Sequence, residues 1–131
     1  RFVTQKIIDG VKRIKQGEAR ELRLGNLDIW RDWGWAPEYV VAMHRMLQQE
    51  TAKDYLIASG QTTSLRQFVD AAFEAAGLKA EMHVVSDANF LRPSDLDYSA
   101  MDPSMIAEEL NWKAVIGPRE IVQRMYEDRL M

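Results

Sequence analysis

Few residues in this chain are equipped to do chemistry. There is no cysteine, which excludes disulfides, thiol nucleophiles and zinc–thiolate sites. The two histidines, His44 and His83, are far apart, match no metal-ligand spacing and have no obvious nucleophile beside them. The four tyrosines stand at 39, 55, 98 and 126, and none has a lysine four residues later. The seven glycines fall at 10, 17, 25, 34, 60, 77 and 117, so no glycine-rich dinucleotide or phosphate loop can be drawn. What remains is arginine. Arg31 lies between Asp28 and Asp32. Its guanidinium is permanently charged and offers a planar fork that matches phosphate oxygens. The plain alternative is a surface arginine paired with one of those two carboxylates.

These residues must be carried by an ordinary globular frame. The chain has 131 residues, 47% hydrophobic and 28% charged, enough for one domain with a real core and against extensive disorder. Its net charge is −3, with acids and bases interleaved. A nucleic-acid partner would need a basic surface to displace counterions, whereas one small phosphate ligand needs only one or two arginines. No apolar run approaches a membrane span. The chain starts at Arg1 and runs straight into a periodic apolar segment, which suggests a beginning inside something larger.

Val3, Ile7, Ile8, Val11 and Ile14 recur at helical spacing, predicting a helix over 2–16 stopped at Gly17. Glu21–Leu24 alternates as a half-buried strand and Gly25-Asn26 breaks it; residues 27–34 have no clean period. Pro37 opens a helix over about 37–49. Asp54–Ala58 reads as a short buried strand closed by Gly60. Ser64 with Gln67 forms a capping box ahead of a strong apolar stripe, and Gly77 stands at its C-cap. Met82–Val85 reads as a strand and Asn89–Met101 as a loop. Asp102-Pro103 reads as an N-cap with proline first in a short helix, and Gly117-Pro118 opens a last one. The result is an α/β chain, mostly helices with a few short strands, whose thin sheet would leave one face poorly covered without a further domain.

Three segments resemble the GDP-mannose 4,6-dehydratase family, in order. Phe2-Val3-Thr4-Gln5-Lys6-Ile7 is similar to its Phe-Val-Thr-Arg-Lys-Ile. Leu24-Gly25-Asn26-Leu27-Asp28-Ile29-Trp30-Arg31-Asp32-Trp33-Gly34 is similar to its Leu-Gly-Asn-Leu-Asp-x-x-Arg-Asp-Trp-Gly, and the likeness continues through 54–60 and 64–69. Phe90-Leu91-Arg92-Pro93-Ser94-Asp95-Leu96-Asp97 is similar to its Phe-Arg-Pro-x-Glu-Val-Asp. Asp102-Pro103-Ser104 and Leu110-Asn111-Trp112-Lys113 fit the positions that follow. The resemblance implies the carboxyl-terminal, substrate-binding part of an extended short-chain dehydrogenase/reductase of Rossmann type. Residues 1–131 would bind the nucleotide-sugar, and an amino-terminal domain outside this chain would carry NADP and the catalytic residues. The implied enzyme is a cytoplasmic lyase, a homo-oligomer at full length. It acts on GDP-mannose or a related nucleotide-sugar, with no nucleic-acid or membrane partner. An epimerase or reductase of the same superfamily, a non-catalytic nucleotide-binding module, and a helical interaction domain are the rival readings. The chain by itself is expected to be inactive.

By the same resemblance Arg31 grips the diphosphate and Arg92, stiffened by Pro93, reaches it too. Asp95 stands where the family has a glutamate that meets the ribose, and is one methylene shorter. Val3 and Lys6 match pocket-lining positions; core packing and a solvated helix lysine are their alternatives. Asn26 and Leu27 would flank the base, although turn chemistry also accounts for Asn26. Trp30, Trp33 and Trp35 are expected to pack in the core or a subunit interface rather than stack a base, and Met43 and Met46 to pack. Trp35 replaces the family's histidine and Gln5 its arginine, which leaves the identity of the sugar open.

Overall fold

The apolar stripe at the start of the chain becomes the first wall of the core. In the computed structural model, which describes residues 2–90 and 96–129, helix α1 (Val3–Lys15) buries Ile7, Ile8, Val11 and Ile14. Strand β1 (Leu22–Leu24) follows with Leu22 and Leu24 inward and Arg23 outward, as period-two alternation requires. Strand β2 (Trp30–Asp32) and helix α2 (Ala36–Leu47) come next. An extended stretch then leads to strand β3 (Thr62–Ser64), which runs directly into helix α3 (Leu65–Ala75).

The capping box is present in both directions. Ser64 Oγ accepts from Gln67 N at 3.1 Å, and Gln67 Oε1 accepts from Ser64 N at 3.0 Å. At the other end Gly77 has φ +70° and Leu78 N donates to Phe73 O at 2.9 Å, the closing bond of a glycine-terminated helix. Phe68, Val69, Ala72 and Phe73 of α3 pack against α1, β1 and Val122 of the last helix, α5 (Pro118–Tyr126).

Strand β4 (Val84–Ser86) pairs parallel with β1, Leu22 opposite Val84. Strand β3 pairs antiparallel with β2, Arg31 opposite Thr63. On the other edge of β2, Trp30 N donates to Asp97 O at 2.7 Å and Ser99 N to Trp30 O at 3.0 Å. A second, smaller core gathers Ala42 of α2 with Ile106 and Leu110 of helix α4 (Ser104–Leu110), then Trp112 and Ala114. Glu38 ties the two halves of this core: its carboxylate accepts from Val115 N at 2.8 Å, and its carbonyl accepts from Trp112 Nε1 at 3.1 Å.

Four readings of the sequence are corrected here. Asp54–Ala58 forms no ladder with any described residue. Tyr55 and Ile57 turn onto the smaller core while Leu56 is half-exposed, so the alternation is real but no neighbouring strand supplies partners. The strand expected at Met82–Val85 is shifted to Val84–Ser86, because Ala80–Met82 close a 3-10 turn. Residues 27–34, without a period, contain β2. Helix α4 begins one residue late, with Pro103 at the N-cap; Asp102 still serves the helix start by accepting from Ser104 N at 3.0 Å.

Candidate functional site

Arg31 is the middle residue of β2, paired with Thr63 on one edge, while its neighbour Trp30 is bonded to the 97–99 segment on the other. It is half-buried, and its Nη1 donates to Trp30 O at 2.7 Å. The carboxylates on either side of it in sequence are engaged elsewhere. Asp28 pairs with Arg66 at 3.1 Å. Asp32 accepts from Ser59 N at 2.9 Å and Gly60 N at 2.7 Å.

The approach to β2 is set by turn chemistry. Asn26 Oδ1 accepts from Asp28 N at 2.8 Å, an Asx turn. Leu27 packs on the main core while its carbonyl accepts from Arg66 N. Asn26, Leu27 and Asp28 line a cleft of about 520 Å³ with Arg66, Asp70 and Glu81. Three carboxylates, Asp28, Asp70 and Glu81, share that cleft with one guanidinium, an unfavourable setting for a diphosphate.

Lys6 lines a different cleft, of about 330 Å³, with Asp9, Arg13, Glu21, Arg23 and Phe90. Its Nζ donates to Arg23 O at 2.8 Å and lies 3.6 Å from the centre of the Phe90 ring, a cation–π contact. Asp87 anchors the same corner: it accepts from Asn89 N at 2.9 Å and pairs with Arg23 at 3.5 Å. The Asn89 backbone bond, followed by Arg23, holds the Asp87 carboxyl below the usual carboxylate range. The cleft's lining holds three cations and two carboxylates, and Asp87, paired with Arg23 beside it, brings the charges level. Val3 is half-buried at the start of α1, packed on the main core.

The expected site residues are thus placed around β1 and β2 without sharing one cavity. Asn26 and Leu27 line one cleft, Lys6 a second, and Arg31 stands on β2. Arg92 and Asp95 lie outside the described residues. The tryptophans divide. Trp35 is buried and Trp33 packs on Phe68 with ring centres 5.3 Å apart, as expected of core residues. Trp30 is more open and leans on Tyr98 at 6.3 Å.

Two features escaped sequence reading. One is the Asp32 clamp. The other is Tyr39, whose hydroxyl lies 3.4 Å from Asp32 Oδ1 and whose phenol is pushed up to about 12, by burial first and then by the Asp32 charge. The adjacency of Arg31 and Asp32 held a signal for the first: neighbours on a strand face opposite sides, so the two cannot serve one ligand face.

A model of the family described as GDP-mannose 4,6 dehydratase matches residues 1–125. GDP-mannose 4,6 dehydratase 1 of Arabidopsis thaliana is 40% identical over 129 residues, covering 98% of this chain and 36% of the relative. The Homo sapiens GDP-mannose 4,6 dehydratase is 35% identical over 141 residues, covering 95% of this chain and 38% of its own length. The chain therefore spans well under half of the relatives it matches. Among solved structures, RMD from Pseudomonas aeruginosa complexed with NADPH superposes with a TM-score of 0.86 at 22% identity, over 97% of this chain and 42% of that one. The dTDP-glucose 4,6-dehydratase of Bacillus anthracis in complex with NAD gives 0.75 at 17%, over 92% and 37%. The fold is accordingly a partial α/β unit of the extended short-chain dehydrogenase/reductase type. On the family match over residues 1–125 and the 40% identity across nearly its whole length, this chain belongs to the GDP-mannose 4,6-dehydratase family.

Proposed function

We propose that these residues are the nucleotide-sugar-binding region of a GDP-mannose 4,6-dehydratase, an NADP-dependent lyase that forms GDP-4-keto-6-deoxymannose. The observation that carries this is the seating of Arg31. It is the one arginine of the long Leu24–Gly34 family motif, on a strand paired with β3 along one edge and bridged at Trp30 on the other. A cation fixed on a rigid strand loses little freedom when it meets a diphosphate. Arg31 holds the diphosphate, with Lys6 and Arg92 as further cations. Asp95 meets the ribose, and Val3, Asn26 and Leu27 border the base.

The chain's own residues do not suit the nicotinamide cofactor. None of the seven glycines forms a glycine-rich strand-to-helix turn, so NADP is assigned to residues beyond these 131, in an amino-terminal domain. When bound, NADP supplies the reversible hydride chemistry of such a reaction. What this region contributes is grip and orientation of the nucleotide-sugar. A homo-oligomer and a cytoplasmic location complete the proposal. No helix among the described residues is long and apolar enough to cross a membrane.

Calorimetric titration of the protein with GDP tests the reading. A hydrogen bond to a charged group contributes about 1.5–3 kcal/mol, so Arg31→Ala is expected to weaken GDP roughly 10- to 150-fold. Unchanged affinity in that variant would overturn the assignment.

A further inference from the structure

The aspartate that follows Arg31 has a task of its own. Strands β2 and β3 are antiparallel partners, yet α2 and the long extended stretch separate them in sequence. No tight turn sets their register, and a one-residue slip would carry Arg31 to the opposite face. Asp32 supplies the missing constraint. Its Oδ1 accepts from Ser59 N at 2.9 Å and its Oδ2 from Gly60 N at 2.7 Å. Both amides belong to the turn that feeds β3, where Thr62 is the backbone partner of Asp32 itself.

That turn is shaped to present them. Gly60 has φ +75°, and a side chain there would lie 3.3 Å from Pro103, so the left-handed conformation is open to glycine alone at low cost. Ser59 is buried, and its Oγ accepts from Gln61 N at 3.0 Å. A two-oxygen clamp on successive amides is a charge-assisted contact of defined geometry. It lies one residue from Arg31 and on the other side of the strand.

We propose that Asp32 is a positioning residue for Arg31: by binding the Ser59 and Gly60 amides it fixes the register of β2 against β3 and so aims the guanidinium at the diphosphate. This rests on the reading of Arg31 given above. Asparagine at this position keeps the shape but turns an NH2 toward one of the two amides, leaving that donor without an acceptor.

The test is a double-mutant cycle on GDP affinity, measured on the protein as it exists, with Arg31→Ala, Asp32→Asn and the combination. Coupled neighbours show interaction energies that amount to a factor of roughly ten. Asp32→Asn is therefore expected to weaken GDP about tenfold when Arg31 is present, and less than about twofold in the Arg31→Ala background. A merely structural aspartate would weaken GDP by the same factor in both backgrounds, and that result overturns the proposal. If the unaltered protein fails to bind GDP, the reading of the site falls and this inference with it. If GDP binds and Arg31→Ala matters but the cycle is additive, only the role of Asp32 falls. Should Asp32→Asn not fold, Gly60→Ala moves the same amide by straining its φ, and must show the same dependence on Arg31; additivity there also refutes the proposal.

Discussion

Gly34, the last residue of the family motif, is small because a ring occupies the space beside it. A methyl group built there would lie 2.0 Å from the Tyr39 hydroxyl, 2.1 Å from its Cζ and 2.4 Å from its Cε1. Ordinary contact begins near 3.4 Å, so Gly34→Ala must push the half-buried ring out of its place. Overpacking of this kind costs about 1–3 kcal/mol. The displaced ring also leaves its edge-on contact with Trp112, at 5.9 Å and 78°, worth about 0.5–1.5 kcal/mol more. The expected loss is about 2–4 kcal/mol, read as a lowered urea midpoint at unchanged slope. The cause can be isolated. In a Tyr39→Leu background the methyl has room, so adding Gly34→Ala should change stability by less than about 0.5 kcal/mol. A single Gly34→Ala variant within about 0.5 kcal/mol of the unaltered protein would refute the steric argument.

Alkaline pH offers an independent probe of the same side chain. The Tyr39 phenol is raised from 10.0 to about 12, so its neutral form is favoured by folding. That contribution is complete below about pH 10 and is lost as pH rises from there through 12. Tyr39 should therefore ionise late in phenolate absorbance, beside Tyr55, whose phenol its bond to Glu109 also raises, and Tyr39→Phe should remove its own share of the late phase and part of the alkaline loss of stability. A late phase left unchanged by Tyr39→Phe would contradict this. At the start of α3, Ser64→Ala removes one half of the capping box and is expected to cost about 0.5–2 kcal/mol in urea unfolding, with Ser64→Gly costing only a few tenths. Equal losses in the two variants would show that the cap is not the cause.

The parts of the fold that rest on local signals were legible. Helix α3 announced itself through Ser64, Gln67 and Gly77, and α1 through its buried stripe. The second strand was not, because an indole, a guanidinium and a carboxylate in succession show no alternation. Those residues are extended because Thr62–Ser64 and the 97–99 segment hold them from both edges. Conversely, Asp54–Ala58 alternates well and lacks a ladder among the described residues. Pattern proposes a strand, but pairing makes one. At the site, the type and motif of Arg31 could be read directly. The engagements of Asp32 with residues 59 and 60, and of Lys6 with Arg23 and Phe90, depend on contacts distant in sequence, which no local window contains.

The parallel pairing of β1 with β4 has a consequence for how the chain is assembled. Leu22 meets Val84 only after everything between them, including β2, α2, β3 and α3, has been gathered into one closed excursion. Three rungs cannot by themselves offset the entropy of closing a loop of that length. The ladder must therefore be set by helix packing already in place, with Phe73 of α3 stacked on His83 at 5.7 Å delivering Val84 to its partner. The cleft that holds Lys6, lined by Arg23 of β1 and Phe90 just beyond β4, is thus expected to acquire its shape after the helices have packed.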